Sequence, residues 1–159
     1  MSDLQTTTGT LQGTSRRFGI VASRFNERLV THLIDGAADE LRRHGVTSEH
    51  IHLVRVPGAW EIPLALDELA RRGGLDGLVA LGVVIRGETP HFDYICSQCS
   101  SGIARVSAEH RIPVGFGLLT CNTSEQAQER SGGKAGNKGA EAALAALEMV
   151  DLLVRLRSG

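Results

Sequence analysis

Residues 81–94 read LGVVIRGETPHFDY, and this stretch decides how the rest of the chain is interpreted. The apolar run over residues 78–85 is short, rich in β-branched residues and stopped by Arg86 and Gly87, which predicts a buried parallel strand. A turn, Gly87–Pro90, then leads into a helix predicted from about Phe92 to His110. Ligands of open α/β sheets bind at the carboxyl ends of strands, so we expect the functional site in this connection.

The same alternation of strand and helix continues on both sides of that stretch. It predicts strands over residues 17–23, 51–56, 78–85 and 114–119, and helices over 27–44, 61–72, 92–110, 124–130 and 140–156. The pattern indicates an α/β protein, a flavodoxin-like three-layer α/β/α sandwich around a four-stranded parallel sheet. Asn26 is predicted to cap the first helix, and residues 131–139 are predicted to form a Gly-rich loop. The last helix is apolar nearly all round, which predicts a subunit interface on its second face.

Length and composition narrow the class of protein. A chain of 159 residues fits one domain, here residues 16–159 after a flexible arm over residues 1–15. The net charge of -1, with scattered Lys and Arg, argues against nucleic acid or a membrane surface as a partner. No apolar stretch is long enough to span a bilayer, and the N-terminus lacks the features of a secretory signal. With three cysteines, an odd number, we expect reduced thiols and a cytoplasmic location.

Three predicted strand ends converge and carry chemically useful side chains. Phe25 and Asn26 follow the first strand, residues 58–61 follow the second, and residues 87–91 follow the third. They offer an aromatic ring for stacking, a carboxylate and an amide for hydroxyl groups, and a glycine turn for an anion. His91 is the candidate proton shuttle, because the pKa of an unperturbed imidazole lies near neutrality. A capping or merely exposed histidine is the alternative at this point.

Three motifs fail as nucleotide or metal sites. Residues 82–89 read G-x-x-x-x-G-E-T, but Glu88 stands where a nucleotide-binding loop needs Lys. Cys96 and Cys99 form a C-x-x-C pair, yet no further zinc ligands lie at suitable spacing, so buried side chains are favoured and no metal is predicted. The Gly-rich loop near Arg130 and Lys138 also misses the nucleotide-binding spacing, and by itself it indicates a helix-joining loop with solvated charges.

Six segments, taken in order, resemble the lumazine synthase family. They are IVASRFN, VPGAWEIP, ALGVVIRGETPHFDY, PVGFGLLT, EQAQER and GNKG, and the resemblance runs from about Arg16 onward. Enzymes of that family condense 5-amino-6-(ribitylamino)uracil with 3,4-dihydroxy-2-butanone 4-phosphate to give 6,7-dimethyl-8-ribityllumazine, phosphate and water, in the penultimate step of riboflavin synthesis. The resemblance implies no organic cofactor. A lumazine-dismutating riboflavin synthase and a non-catalytic flavin- or pteridine-binding shell are the alternatives. The second of these is disfavoured by the presence of His91 and Arg130.

The resemblance also implies a role for each site residue. His91 would be the acid–base catalyst, and Phe25 would stack on the pyrimidine ring. The other implied substrate-binding residues are Asn26, Ala59, Trp60, Glu61, Val83, Val84, Ile85, Gly87, Glu88, Thr89, Phe116, Arg130, Lys138 and Glu141. Among these, Phe116, Arg130, Lys138 and Glu141 would come from a neighbouring subunit, with Arg130 holding the phosphate.

An assembly is implied in the same way. Family members form pentamers, and in many of them twelve pentamers close into an icosahedral shell. Residues 132–139 are compact here and lack the insertion of members that stop at the pentamer, which favours the shell. The N-terminal arm is long enough to add a strand to a neighbouring subunit. Association with riboflavin synthase is a further expectation.

Overall fold

Four apolar runs form a single parallel sheet. The computed structural model describes residues 3–159, with β1 (Phe18–Ser23), β2 (Ile51–Val56), β3 (Gly77–Ile85) and β4 (Val114–Cys121). Neighbouring strands are parallel in the order β2-β1-β3-β4. β1 and β3 lie in the centre, which explains why their sequences are almost continuously apolar. The predicted four-stranded parallel sheet is confirmed.

Five helices cover the two faces of the sheet. They are α1 (Glu27–Arg43), α2 (Ile62–Arg72), α3 (His91–His110), α4 (Ser124–Arg130) and α5 (Lys138–Ser158). The buried residues form two clusters: α1, α4 and α5 contribute to one, and α2 and α3 contribute to the other. Because side chains alternate along a strand, each central strand feeds both clusters. The flavodoxin-like three-layer sandwich is confirmed.

Glycine allows α5 to lie unusually close to its neighbours. A Cβ on Gly115 of β4 would overlap the carbonyl oxygen of Ala142, and a Cβ on Gly139 would overlap the carbonyl oxygen of Leu33 in α1. The first turns of α5 are therefore wedged between β4 and α1 with backbone against backbone. This contact places the segment just before α5 at the edge of the sheet.

The segment predicted as a Gly-rich loop contains a small hairpin. Residues Ser131–Gly133 (β5) and Gly136–Asn137 (β6) pair antiparallel, so the loop prediction was wrong for these residues. The Asn137 side chain supports the hairpin by donating to the His32 carbonyl (2.9 Å) and accepting from the Ala140 amide (3.0 Å). This second bond caps α5, which consequently begins at Lys138 and not near Ala140.

The described part of the N-terminal arm lies against its own chain. The amide and hydroxyl of Thr10 donate to Asp151 Oδ2 in α5 at 2.7 and 3.0 Å, and the Gly13 amide donates to the His44 carbonyl at 2.8 Å. Residues 1 and 2 of the predicted arm lie outside the described residues. Within residues 3–159, no helix is long and apolar enough to cross a membrane.

Candidate functional site

A cleft of about 680 Å³ opens at the carboxyl edge of the sheet. It is lined by the segments that follow β1, β2 and β3, together with the first turns of α3. Parallel strands bring these segments together because all their carboxyl ends lie at the same edge. This is the edge at which the sequence predicted the site.

The segment after β1 presents an aromatic ring to the cleft. The amides of Arg24 and Phe25 donate to the carbonyls of Val56 (2.8 Å) and Pro57 (3.1 Å), which continues the β1–β2 pairing beyond the strand. Held in this way, the Phe25 side chain points outward and is 71% exposed. A large exposed ring beside a cleft is suited to stacking on a planar ligand.

Asn26 connects this segment to the next strand. It occupies the N-cap position of α1, but its backbone is left-handed (φ 61°) and its side chain makes no capping bond. Its Nδ2 instead donates to the Val83 carbonyl of β3 at 2.9 Å. The predicted side-chain cap was therefore wrong, since a tertiary hydrogen bond takes the place of the local one. Asn tolerates this backbone region better than most residues.

The segment after β2 contributes a short turn of 3₁₀-helix. Residues Ala59–Glu61 form this turn, which precedes α2. The Trp60 ring is 58% exposed, and the Glu61 carboxylate also reaches the cleft. The turn therefore places one aromatic ring and one hydrogen-bond acceptor opposite β3.

The connection after β3 supplies an imidazole and a helix start. Residues 86–91 are exposed, and α3 begins at His91 with Pro90 at its N-cap position. No side chain of the described residues caps this end of the 20-residue helix. The first amides of α3 are therefore left without a capping side chain beside His91 and Phe92, which line the cleft, and an uncapped helix N-terminus favours an anion.

Most of the residues singled out in the sequence meet in this cleft. Those that line it are Phe25, Asn26, Ala59, Trp60, Glu61, Val83, Val84, Ile85, Gly87, Thr89 and His91. Glu88 lies in the same connection but does not line the cleft. Four further residues of the described chain also do not line it: Phe116, Arg130, Lys138 and Glu141.

Three of those four residues lie around the β5–β6 hairpin. Ser131 pairs with Asn137, so Arg130 and Lys138 flank the same end of the hairpin. Lys138 forms an ion pair with Glu141 at 3.2 Å, and Arg130 donates to the Gln126 carbonyl at 3.0 Å. We call Arg130, Lys138 and Glu141 the hairpin cluster. Phe116 lies apart from it in β4, an edge strand, and is 51% exposed.

The sequence interpretation named Gly58 only among the converging strand ends, and it missed three other lining residues: Phe92, Tyr94 and Ile95. Tyr94 and Ile95 follow His91 by three and four positions in α3. That spacing places them on the same side of the helix as His91 and was the signal that could have found them.

The thiols contribute no reactive group. All three cysteines, Cys96, Cys99 and Cys121, are free. Burial raises the pKa of Cys99 to about 12, and it also raises the pKa of Cys96. Burial raises the pKa of Cys121 too, against a smaller opposing effect of Arg130. Thiols in this state are protonated at neutral pH and are poor nucleophiles.

One group of ligand-type side chains lies outside the cleft. Atoms of Asp67, Glu109 and His110 come within 4.8 Å of one another between α2 and α3. Asp67 is already engaged there, by His110 Nε2 and Arg71 Nε, each at 2.7 Å. These hydrogen bonds lower the pKa of Asp67, first through His110 and then through Arg71. The group is best described as an ion-pair network that joins the two helices.

Fold and cleft together define a flavodoxin-like α/β protein with a candidate site at the carboxyl edge of the sheet. The family model described as 6,7-dimethyl-8-ribityllumazine synthase matches residues 15–154. A relative of that name from Desulfovibrio desulfuricans is 51% identical over 156 residues, covering 98% of this chain and 100% of the relative. Another from Aquifex aeolicus is 57% identical, with 94% and 97% covered. A third, from Halorhodospira halophila, is 56% identical, with 89% and 91% covered.

The chain belongs to the 6,7-dimethyl-8-ribityllumazine synthase family. The resemblance inferred from the six sequence segments is thus confirmed, and it covers nearly the whole chain.

Proposed function

We propose that this chain condenses 5-amino-6-(D-ribitylamino)uracil with 3,4-dihydroxy-2-butanone 4-phosphate to give 6,7-dimethyl-8-ribityllumazine, phosphate and water. The observation that carries the proposal is one cleft in which an exposed ring, a carboxylate, a helix N-terminus and an imidazole converge. These groups match the parts of the two substrates: a planar ring, a polyol chain, a phosphate and the atoms that exchange protons. Family membership supports the same assignment.

The pyrimidine substrate would occupy the inner part of the cleft. Phe25 stacks on the ring, and the backbone of residues 83–85 borders it where β3 ends. Asn26 lies beside the ring and holds the Val83 carbonyl in place. The 3₁₀ turn on the opposite wall, with Ala59, Trp60 and Glu61, receives the ribityl chain.

The phosphorylated substrate would lie at the start of α3. The turn formed by Gly87, Glu88 and Thr89 offers backbone amides, and the helix N-terminus adds a favourable field for a dianion. Glu88 contributes through its backbone in this arrangement. His91, the first residue of the helix, then lies next to the carbon atom that loses phosphate and the neighbouring carbon that loses a proton.

The chemistry requires proton transfers and close positioning of two substrates. An amine of the pyrimidine substrate attacks the ketone, water leaves, and the imine forms between the substrates without a protein lysine or a cofactor. Phosphate elimination follows, and ring closure by the second amine onto the remaining carbonyl releases a second water. An imidazole that shuttles the protons contributes about 10²–10⁴-fold in rate. Holding two reactants in one cleft supplies much of the remaining acceleration.

A neighbouring subunit would complete the site. The hairpin cluster and Phe116 are carried by this chain but lie outside its own cleft, while the phosphate position lacks a guanidinium from the described residues that line it. We propose that Arg130 of an adjacent copy grips the phosphate, since a guanidinium suits bidentate phosphate binding. Lys138, Glu141 and Phe116 would reach the cleft from the same copy.

The assembly that fits this arrangement is a pentamer, with twelve pentamers closing into an icosahedral shell. Three exposed apolar residues of α5, Met149, Val154 and Leu156, support a subunit contact by this helix. The arm over residues 1–15, which Thr10 and Gly13 attach to its own chain, would add a strand to a neighbour through its other residues. The proposal also includes a cytoplasmic location and association with riboflavin synthase. Light scattering after size exclusion tests the assembly, and a species no larger than a pentamer in every buffer would refute the shell.

The function is tested by incubating the purified protein with both substrates and following the fluorescence of the lumazine product. Omission of either substrate is the control, and we expect product only when both are present. Incubation with lumazine alone separates the alternative, because a dismutating riboflavin synthase would form riboflavin. A folded oligomer that forms neither product would leave only a binding role.

A further inference from the structure

Arg86 lies directly after β3 and does not line the cleft, yet its side chain contacts three residues, one in the segment after β4 and two in α3. Its Nε donates to Asn122 Oδ1 at 2.9 Å, and its Nη1 lies 3.4 Å from Asp93 Oδ1. The guanidinium carbon stacks 4.4 Å from the centroid of the Phe92 ring. Its backbone amide donates to the Cys121 carbonyl at 2.9 Å. Arg86 thus joins the ends of β3 and β4 to the first turn of α3.

The turn that Arg86 precedes has little packing of its own. Residues 86–91 are all exposed, and a Cβ added to Gly87 would meet no heavy atom within 4 Å. The position of Gly87–Pro90 therefore depends on how its two ends are held. Arg86 directly precedes the turn. Phe92 and Asp93, which the Arg86 side chain contacts, lie just after the turn in α3.

Asn122, which Arg86 contacts after β4, is itself held by a hydrogen bond. The Asn122 amide donates to Gln126 Oε1 at 2.8 Å, and the Gln126 amide donates to Thr123 Oγ1 at 3.2 Å. The second bond belongs to the capping box that begins α4. Arg86 therefore attaches the turn to a structured helix start and not to a free loop.

We infer that Arg86 is a positioning residue, which sets the Gly87–Pro90 turn and the first turn of α3 so that the phosphate-binding amides and His91 face the substrates. The inference rests on the proposed function. It requires the planar, forked guanidinium, because one group must bond Asn122, pair with Asp93 and stack on Phe92. The ammonium of a lysine keeps the charge but cannot make all three contacts.

The test compares Arg86→Ala and Arg86→Lys with wild-type protein and with Arg42→Ala. Arg42 is a matched control, since its Nε bonds Ser48 Oγ at 3.1 Å and its Nη1 bonds Asp39 Oδ1 at 3.2 Å, outside the cleft. Both Arg86 variants should raise KM for the phosphorylated substrate by about tenfold or more, because small misplacement of binding groups is costly. KM for the pyrimidine substrate should stay within about twofold of wild type in the same measurement.

Hydrogen exchange at the amides of residues 91–95 gives a readout that does not need catalysis. Exchange should be about tenfold faster in both Arg86 variants and unchanged in Arg42→Ala, since loss of the contacts frees the first turn of α3. Recovery of wild-type KM by Arg86→Lys would overturn the inference and indicate a simple charge effect. Equal losses for both substrates with a lowered Tm would overturn it as well. An inactive wild-type protein would refute the proposed function, while the exchange rates would still decide the role of Arg86.

Discussion

Asn26 combines two features whose contributions to stability can be separated by substitution. Its backbone is left-handed at φ 61°, and its side chain donates to the Val83 carbonyl at 2.9 Å. Asn26→Gly removes the hydrogen bond, which lowers the free energy of unfolding by about 1 kcal/mol. It lowers that free energy by roughly 0.5 kcal/mol more, because glycine gives the unfolded chain greater freedom. Asn26→Ala removes the same bond and adds a left-handed strain of roughly 1–2 kcal/mol. We therefore expect the free energy of unfolding to fall by about 1.5 kcal/mol in Asn26→Gly and by about 2.5 kcal/mol in Asn26→Ala.

Thermal unfolding at one fixed protein concentration measures both losses. A chain of this size changes its Tm by roughly 2–4 °C per kcal/mol, so we expect decreases of roughly 3–6 °C for Asn26→Gly and 5–10 °C for Asn26→Ala. Arg111, also left-handed at φ 53°, calibrates the backbone contribution. Arg111→Gly should be more stable than Arg111→Ala, because only glycine relieves the strain there.

Two results would refute this reasoning about Asn26. Equal Tm values for wild type and both variants would mean that the hydrogen bond to Val83 contributes nothing. A more stable Asn26→Ala than Asn26→Gly would mean that the left-handed backbone is not retained. Because the bond spans β1 and β3, the Gly variant should also raise KM for the pyrimidine substrate.

The remaining predictions concern catalysis, packing and pH. His91→Ala should slow turnover by about 10²-fold or more without abolishing it, since substrate positioning remains; an unchanged kcat excludes His91 from the mechanism. Arg130→Ala should mainly raise KM for the phosphorylated substrate, and unaltered KM and kcat would exclude it as the phosphate anchor. Gly115→Ala should cost about 1–3 kcal/mol in denaturant titration, because its Cβ would overlap the Ala142 carbonyl; wild-type stability would contradict the close packing of α5. Hydrogen bonds from Arg155 and the arm lower the pKa of Asp151 below its ordinary value of 3.8. Docking of the arm should therefore be complete above pH 3.8 and weaken as the pH falls further, seen as reduced protection of the arm amides relative to their intrinsic exchange rates; in Asp151→Asn this protection should not change over that range.

The sheet and most of the cleft could be predicted because they follow from local signals. Short apolar runs bounded by turn-forming residues such as glycine and proline identified β1 to β4, and helical periodicity identified the helices between them. Once the strands were parallel, the convergence of Phe25, Glu61 and His91 followed from topology alone. No packing detail was needed for that step.

The features that escaped prediction depend on contacts between distant parts of the chain. Glycine-rich sequence disfavours strands, and the β5–β6 hairpin forms because Asn137 bonds His32 in α1, 105 positions earlier. Asn26 was read as a helix cap because its partner, Val83, lies 57 positions away. The role of Arg86 was missed for the same reason, since Asn122 is 36 positions further along the chain.

These distant contacts share one location, the carboxyl edge of the sheet. Arg55 of β2 donates to the carbonyls of Ala22 (3.3 Å) and Ser23 (3.2 Å) in β1. Asn26 joins the end of β1 to β3, and Arg86 joins the end of β3 to the segment after β4. In the order β2-β1-β3-β4, every neighbouring pair of strand ends is therefore connected by a side-chain hydrogen bond.

The hydrogen bonds between neighbouring strand ends have a direct consequence for a reaction that joins two substrates. Effective concentrations are high only when both reactants are held in one geometry, and loops that move independently would lose that advantage. Phe25, the turn over residues 87–90 and the His91 imidazole lie on connections after β1 and β3, and Asn26 joins these two strand ends. Polar side chains of the strand ends thus hold the walls of the cleft together, and the residues proposed to bind substrates can remain exposed to receive them. Loss of one of these side-chain hydrogen bonds should therefore impair substrate positioning more than it impairs folding.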